Sequence, residues 1–308
     1  MDILCVGQLV ADILVRPMEA LEFTVDTRPV DAIHIKPGGD CLNAAIALKK
    51  LGNDVGFCGK VGRDHAGAML GGIIRDMGID TRGLLEAPDT ATSSCLVAIN
   101  GQGERTFFYF GGANEKLTAS DVPVSLMDEC KILHVGGAFS LPELDGDGAA
   151  SLFRKAKSNG KTTSMDVTWD ARGRWLDTIR PCLPYLDYFM PSIGEAQTIT
   201  GKADAADAAR FLLDEGVGTA VIKLGKQGCL VMNARETFTT PAYTVKTADT
   251  TGAGDCFVAG FLTGLLRNWP LTECAGFGCA VAAQCVTQIG ATTGVLGFEE
   301  TIRFMRQA

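Results

Sequence analysis

The strongest constraint on the fold of this chain is a regular alternation, from about residue 120 onward, of short β-type runs with segments of helical period. The β-type runs cover 131–137, 162–167, 188–191 and 220–224, and helical patterns at 146–158, 174–185, 195–200 and 205–215 lie between them. A strand followed by a helix returns the chain to the start of the next strand, and repetition of that unit builds a parallel sheet covered by helices. The C-terminal half is therefore predicted to be an open α/β sheet. Two further helical stretches, 253–267 and 271–287, are rich in Ala, Gly and Cys and nearly free of charge, as expected of helices buried against such a sheet.

The first hundred residues carry a second pattern. Segments 92–100 and 105–110 flank Gly101-Gln102-Gly103-Glu104 and read as an antiparallel hairpin, with 10–16 and 31–36 as candidate partners. Strands inserted into a parallel-sheet topology have few places to go except the sheet's edge, where they form a small sheet over the ligand crevice. The expected organisation is a single α/β domain over 1–308, with a small β-sheet lid from strands within about 10–36 and 92–110. There are no internal repeats, low-complexity tracts or long linkers.

Composition excludes several function classes. The 308 residues are 46% hydrophobic and 21% charged, which supports a large core and argues against disorder. A net charge of -8 disfavours nucleic acid, which is bound by clustered Lys and Arg. The N-terminus lacks a positive leader, and no apolar run reaches the ~18 residues of a spanning helix, so export and membrane insertion are both disfavoured. The 11 cysteines are odd in number and sit mostly in apolar stretches, reading as buried free thiols of a cytoplasmic protein. No Cys-x-x-Cys pair occurs and His34, His65 and His134 are scattered, which argues against structural zinc.

The string that carries chemistry is Asp249-Thr250-Thr251-Gly252-Ala253-Gly254-Asp255-Cys256-Phe257, a polar loop opening a long apolar helix. The small side chains of Gly252, Ala253 and Gly254 leave backbone N–H groups accessible, so the helix start can hold an anion. Asp255, in the first turn, is placed to take a proton from a substrate hydroxyl as a phosphoryl group arrives. Taken alone, the loop is equally consistent with Asp255 serving only as a cap or complement to the helix dipole.

Other nucleotide motifs fail. Gly160-Lys161-Thr162 has the end of a phosphate-binding P-loop, but Lys155 stands where its first glycine belongs and the string leads into a strand. No Gly-x-Gly-x-x-Gly is present.

Asp249–Phe257 resembles the C-terminal signature of the PfkB family, and Gly38-Gly39-Asp40-Cys41-Leu42-Asn43-Ala44-Ala45 resembles its N-terminal Gly-Gly-x-x-x-Asn-x-Ala signature. The two agree in order and spacing. Gly7 through Asp12 is similar to the family's first strand, Gly111-Gly112-Ala113-Asn114 to the segment after its lid hairpin, and Lys223-Leu224-Gly225-Lys226-Gln227-Gly228 to its nucleotide-binding loop. The resemblance implies a ribokinase-like three-layer α/β/α fold with a mostly parallel sheet, and an ATP-dependent carbohydrate kinase.

Carried over residue by residue, the resemblance implies Asp255 as base and the amides of Gly252, Ala253, Gly254 and Asp255 as anion hole. Asp12, Gly38, Gly39, Asp40 and Asn43 are then substrate-binding residues. ATP is expected beside Ser192, Lys223, Gly225, Gly228, Gly254 and Cys279. In the family's Asn-x-x-Glu segment the glutamate lies near magnesium; here the string is Ser192-Ile193-Gly194-Glu195, so Glu195 is kept, as a ligand through water, while a serine replaces the asparagine. Asp249 and Thr251 match the first segment of a monovalent cation site, for potassium, and 286–290 resembles the loop whose carbonyls complete it.

Substrate choice is expected to reside in the lid and around the double glycine. Arg105, Asp166 and Arg172 are further candidate contacts, and either arginine suits the carboxylate of a sugar acid. Phe107, Phe108, Tyr109 and Phe110 run along one strand, so at most two face the ligand and the others pack on the core or on a partner. An aromatic lid sheet suggests a homodimer formed lid to lid. The expected substrate is a small sugar or sugar derivative; the rival readings are a nucleoside kinase of the same fold and a non-catalytic ligand-binding regulator.

Overall fold

The computed structural model describes residues 1–18, 24, 26–102 and 105–307. The first half contains β1 (Ile3–Gly7), β2 (Val10–Arg16), β3 (Ala32–Gly38), α1 (Asp40–Lys50), β4 (Val55–Gly62), α2 (His65–Asp76), β5 (Asp80–Ala87), β6 (Ser94–Ile99), β7 (Arg105–Phe110), α3 (Val124–Glu129) and β8 (Ile132–Ala138). It continues through α4 (Asp147–Ser158), β9 (Thr162–Val167), α5 (Leu176–Ile179), β10 (Tyr188–Phe189), α6 (Ile193–Thr200), α7 (Ala205–Asp214) and β11 (Thr219–Lys223). The last elements are β12 (Cys229–Asn233), β13 (Thr237–Thr240), α8 (Ala253–Leu266), α9 (Leu271–Cys285) and α10 (Phe298–Gln307).

Nine strands form one sheet in the order β13-β12-β11-β10-β9-β8-β1-β4-β5. Pairing is parallel from β5 through β11, and β12 and β13 extend the sheet as an antiparallel edge hairpin. The pleat divides each strand between two cores: Leu4 and Val6 of β1 pack with residues of α4, α6 and α7, whereas Ile3 and Cys5 pack with α1, α2, α8 and α9. The result is the expected helix, sheet, helix layering, and the nearly uncharged α8 and α9 are buried as their composition predicts.

One expected helix differs. The pattern over 174–185 folds as a single turn, α5, and a separate 3-10 turn at Leu183–Tyr185. Pro181 and Pro184 explain the break, since each lacks an N–H and clashes with a preceding helical turn.

The second sheet has the order β3-β2-β6-β7. β2 pairs antiparallel with β3 and parallel with β6, and β6 and β7 form the expected hairpin; Gly103 and Glu104 of its turn lie outside the described residues. Helix α1 packs on one face of the large sheet and α4 on the other, so the chain reverses its winding between β1 and β8. A crevice at the carboxyl ends of the strands follows from such a reversal.

Candidate active site

Helix α8 starts with Gly252 in the left-handed region at φ 76°. A Cβ there would meet the Ala291 carbonyl oxygen at 2.3 Å, so only glycine lets the loop lie against the 286–291 segment. The Ala253 N–H turns back to Thr250 O (3.3 Å) and the Cys256 N–H to Gly252 O (2.9 Å). Between them, the Gly254 and Asp255 N–H groups stand at a helix start with no preceding turn to accept them.

Asp255 is buried, and its Oδ2 accepts a hydrogen bond of 2.8 Å from Asn43 Nδ2 on α1. Burial raises its carboxyl, the Asn43 hydrogen bond and Lys223 pull it back, and Glu195 pushes it up again, leaving it at about 6. Such a group is ionised at neutral pH yet basic enough to accept a proton in the reaction.

The double glycine brings the other substrate candidates alongside. A Cβ on Gly38 would meet Asp12 Oδ2 at 2.0 Å, so this position has no room for a side chain beside the Asp12 carboxylate. Burial and the charge of Asp255 raise Asp12 to about 7. Asp40, partly buried at the start of α1, is likewise raised by burial and by Asp255, Asp166 and Glu195. Asp12, Asp40, Asn43 and Asp255 thus form one acidic, hydrogen-bonding wall.

Two side chains that sequence reasoning did not single out tie the small sheet to this wall. Gln8 donates through Nε2 to Tyr109 Oη (3.2 Å) and accepts the Asp40 N–H at its Oε1 (3.3 Å). Asn114 donates to Leu9 O (2.9 Å) and to Tyr109 Oη (3.4 Å), and accepts the Leu9 N–H. Register places Phe107 opposite Val97 and Tyr109 opposite Cys95, so Phe107 and Tyr109 share the crevice side, while Phe108 and Phe110 face outward. All four rings remain between 44% and 57% exposed, so none of the run is absorbed into the core.

Lys223, at the end of β11, sits at the centre of the polar network. Its Nζ contacts Asp166 at 2.6 and 2.8 Å, and a Cβ on Gly254 would lie 3.2 Å from that same nitrogen. Burial works against the Lys223 charge, but Asp166, Glu195 and Asp255 outweigh it and hold its pKa above the ordinary value. Asp166 is raised to about 7 by burial, with Lys223 opposing and Glu195 and Asp255 reinforcing the rise. The ammonium therefore stands against Gly254 at the start of α8, with acidic neighbours of its own.

Beside it opens a cavity of about 500 Å³ lined by Lys223, Gly225, Gly228, Gly254 and Cys279. Five of the six residues expected to meet the nucleotide thus share one space. Ser192, the sixth, bridges to Lys223 in the sheet and caps α6: its Oγ accepts the Glu195 N–H (3.4 Å) while its own N–H donates to Glu195 Oε2 (2.7 Å).

The two arginines are placed elsewhere than the crevice wall. Arg172 is about half exposed and pairs with Glu115 at 3.4 Å. Arg105, on β7, pairs with Asp249 Oδ1 at 2.6 Å and donates to Thr251 Oγ1.

Comparison with known proteins identifies the lineage. A model of the pfkB family carbohydrate kinases matches residues 1–296. The chain belongs to that family. As a pfkB carbohydrate kinase it is a phosphotransferase acting on an alcohol group. Among its relatives, fructokinase-2 of Solanum lycopersicum is 28% identical over 285 residues, covering 88% of this chain and 87% of the relative. The ribokinase of Staphylococcus aureus is 27% identical over 285 residues, covering 89% and 91%. In fold, the chain resembles an Arabidopsis thaliana ribokinase solved with ribose and ATP, with a TM-score of 0.87, 21% identity and coverage of 99% and 98%. Among the described residues no helix is long and apolar enough to cross a membrane.

Proposed function

We propose that this pfkB kinase transfers the γ-phosphoryl group of ATP to a hydroxyl of a small neutral sugar, with Asp255 as general base. The observation that carries the reading is a buried carboxylate in the first turn of α8, hydrogen-bonded by an asparagine from the other signature. The substrate lies against Asp12, Asp40 and Asn43, with its reacting hydroxyl within hydrogen-bond reach of Asp255. Asp255 takes the hydroxyl proton, the sugar oxygen bonds to phosphorus, and the bond from phosphorus to the β–γ bridging oxygen breaks, releasing ADP. The Gly254 and Asp255 N–H groups and the Lys223 ammonium stabilise the transferring charge.

ATP fits the cavity beside Lys223, whose glycines at 225 and 228 let the backbone approach a ligand closely. Magnesium fits the charge balance, because Asp40, Asp166, Asp255 and Glu195 crowd the Lys223 ammonium, and the first three are raised by burial and by neighbouring carboxylates. Glu195 and Asp166 are the residues that would face it, and the ion, when bound with ATP, neutralises phosphate charge. Potassium, the other ion expected from the signature, does not fit its site, where the Asp249 carboxylate is already paired with Arg105.

A neutral substrate is favoured over a sugar acid. Carboxylates line the crevice wall, an anion there would be repelled, and both candidate arginines are paired with acidic side chains. The relatives' names point to fructose and ribose as first compounds to try. ADP release measured across ketoses, aldoses, sugar acids and nucleosides tests the reading: turnover on neutral sugars supports it. Preference for nucleosides would move the assignment to a nucleoside kinase, and binding without turnover to a regulator.

The small sheet acts as a lid, tied through Gln8, Tyr109 and Asn114 to the substrate wall. Its outer face presents Ile33, Ile35, Phe108 and Phe110, each at least 47% exposed, and is assigned to a lid-to-lid homodimer; a monomer by light scattering at working concentration would contradict this. The 11 cysteines are free and buried, which suits a reducing, cytoplasmic setting.

A further inference from the structure

A monovalent cation beside the anion hole needs a carboxylate and several carbonyl oxygens free to face it. Here the carboxylate and several of the surrounding carbonyls already have partners within the protein. Val286 O accepts the N–H groups of both Ala248 (2.7 Å) and Asp249 (3.2 Å), and Gly290 O accepts that of Thr293 (3.3 Å). Ala291 O accepts the Cys256 thiol, and the single hydrogen of the Cys285 thiol is shared between Ala291 O (3.1 Å) and Thr251 O (3.4 Å). The Asp249 carboxylate, 3% exposed, accepts the Thr251 N–H (2.7 Å) and the Gly290 N–H (2.9 Å) and pairs with the Arg105 guanidinium.

The arginine supplies what the ion would supply. A guanidinium is charged at every working pH and forms directed hydrogen bonds in a fixed plane. Arg105 places one nitrogen on Asp249 Oδ1 and another on Thr251 Oγ1, and so grips both side chains of the loop that leads into Gly252–Asp255. Its charge acts on a carboxylate that is almost wholly buried, where an unpaired charge would be costly. Because Arg105 begins β7, this charge reaches the loop before Gly252–Asp255 from the small sheet, in addition to the contacts the loop makes with Val286 and Gly290.

We infer that Arg105 is a positioning residue that takes the place of a monovalent cation, so that phosphoryl transfer by this chain is independent of potassium and coupled to closure of the small sheet. The inference rests on the kinase reading for its catalytic consequence, but its ion-binding half can be tested without turnover.

The experiment compares wild type, Arg105→Gln and Arg105→Lys in KCl, NaCl and choline chloride at equal ionic strength, by thermal unfolding and by ADP release with ATP, magnesium and the preferred sugar. Wild type is expected to show the same melting temperature in all three salts and rates within about twofold. Arg105→Gln should lose about 100-fold in kcat with little change in KM for ATP, to the same extent in all three salts. Arg105→Lys, which restores the charge without the fork, should recover part of kcat. Potassium-specific stabilisation or activation of wild type would overturn the inference, as would unchanged kcat in Arg105→Gln. If no compound is turned over, the kinase reading fails, and the melting comparison in wild type still decides whether the cation site is filled by the arginine.

Discussion

Asn43 Nδ2 lies 2.8 Å from Asp255 Oδ2, joining two buried side chains 212 positions apart in sequence. One belongs to the first turns of α1 and the other to the first turn of α8, so a single hydrogen bond closes the N-terminal signature onto the C-terminal one. It also sets the basicity of the proposed base, because a donor to the ionised carboxylate counteracts the effect of burial.

The pH dependence of turnover should report that bond. With Asp255 at about 6, kcat/KM should rise through an acidic limb near that value as the base ionises. Asn43→Ala removes the lowering contribution, so the limb should move to higher pH. A profile from about pH 5 to 9 that keeps its limb in the variant would separate Asn43 from the base.

Stability should run the other way along the same axis. Asp255 is raised from 3.8 to about 6 and Asp166 from 3.8 to about 7. The folded state therefore holds these protons more tightly than the unfolded chain does. Their contribution favours folding at low pH and is lost as pH rises from about 4 through their folded values. Replacing Asp255 by Asn should remove that loss, giving a smaller fall in denaturation midpoint between about pH 5 and 7.5 than in wild type.

Lys223 and Asp166 should behave as a unit. Lys223→Met leaves Asp166 buried beside Asp255 and Glu195 with no cation, and should cost about 3 kcal/mol in chemical denaturation. The double variant Lys223→Met/Asp166→Leu should regain most of that stability without regaining turnover, because the ammonium facing the anion hole is still missing. Recovery of activity in the double variant would show that Lys223 serves the fold alone.

Gly252→Ala tests the loop itself. The residue is left-handed at φ 76° and its added methyl would meet Ala291 O at 2.3 Å, so the loop must shift. The expected result is a loss of about 2 kcal/mol in stability and of about 100-fold in kcat, from a position whose side chain touches no substrate.

The fold was legible because its main signals are local. β9 spans the predicted 162–167, and the nearly uncharged helices expected at 253–267 and 271–287 sit in the core. The single helix expected over 174–185 failed for an equally local reason, two prolines that the helical period concealed. The signatures named Asp40 and Asn43, and Gly252 through Asp255, as candidates because each group is a contiguous string. What they hid was pairing at a distance. Arg105 read as a contact for a sugar carboxylate, and Asp249 as a cation ligand, whereas their 2.6 Å ion pair depends on the register of β7 against β6 and on the approach of the second sheet to α8. Lys223 read as one residue of a nucleotide loop, and its pairing with Asp166 arises because β9 and β11 end side by side with the short β10 between them. Gln8 lies in the Gly7–Asp12 string without a role of its own there, and only the folded contact with Tyr109 and Asp40 marks it.

The most direct test of the proposed mechanism is phosphoryl transfer by Asp255→Asn, assayed as ADP release with ATP, magnesium and the sugar that wild type prefers. The exchange keeps the shape of the side chain and removes its basicity. It should lower kcat about 1000-fold while ATP binding persists and the protein stays folded. A folded Asp255→Asn protein that turns over within about tenfold of wild type would show that another group accepts the proton.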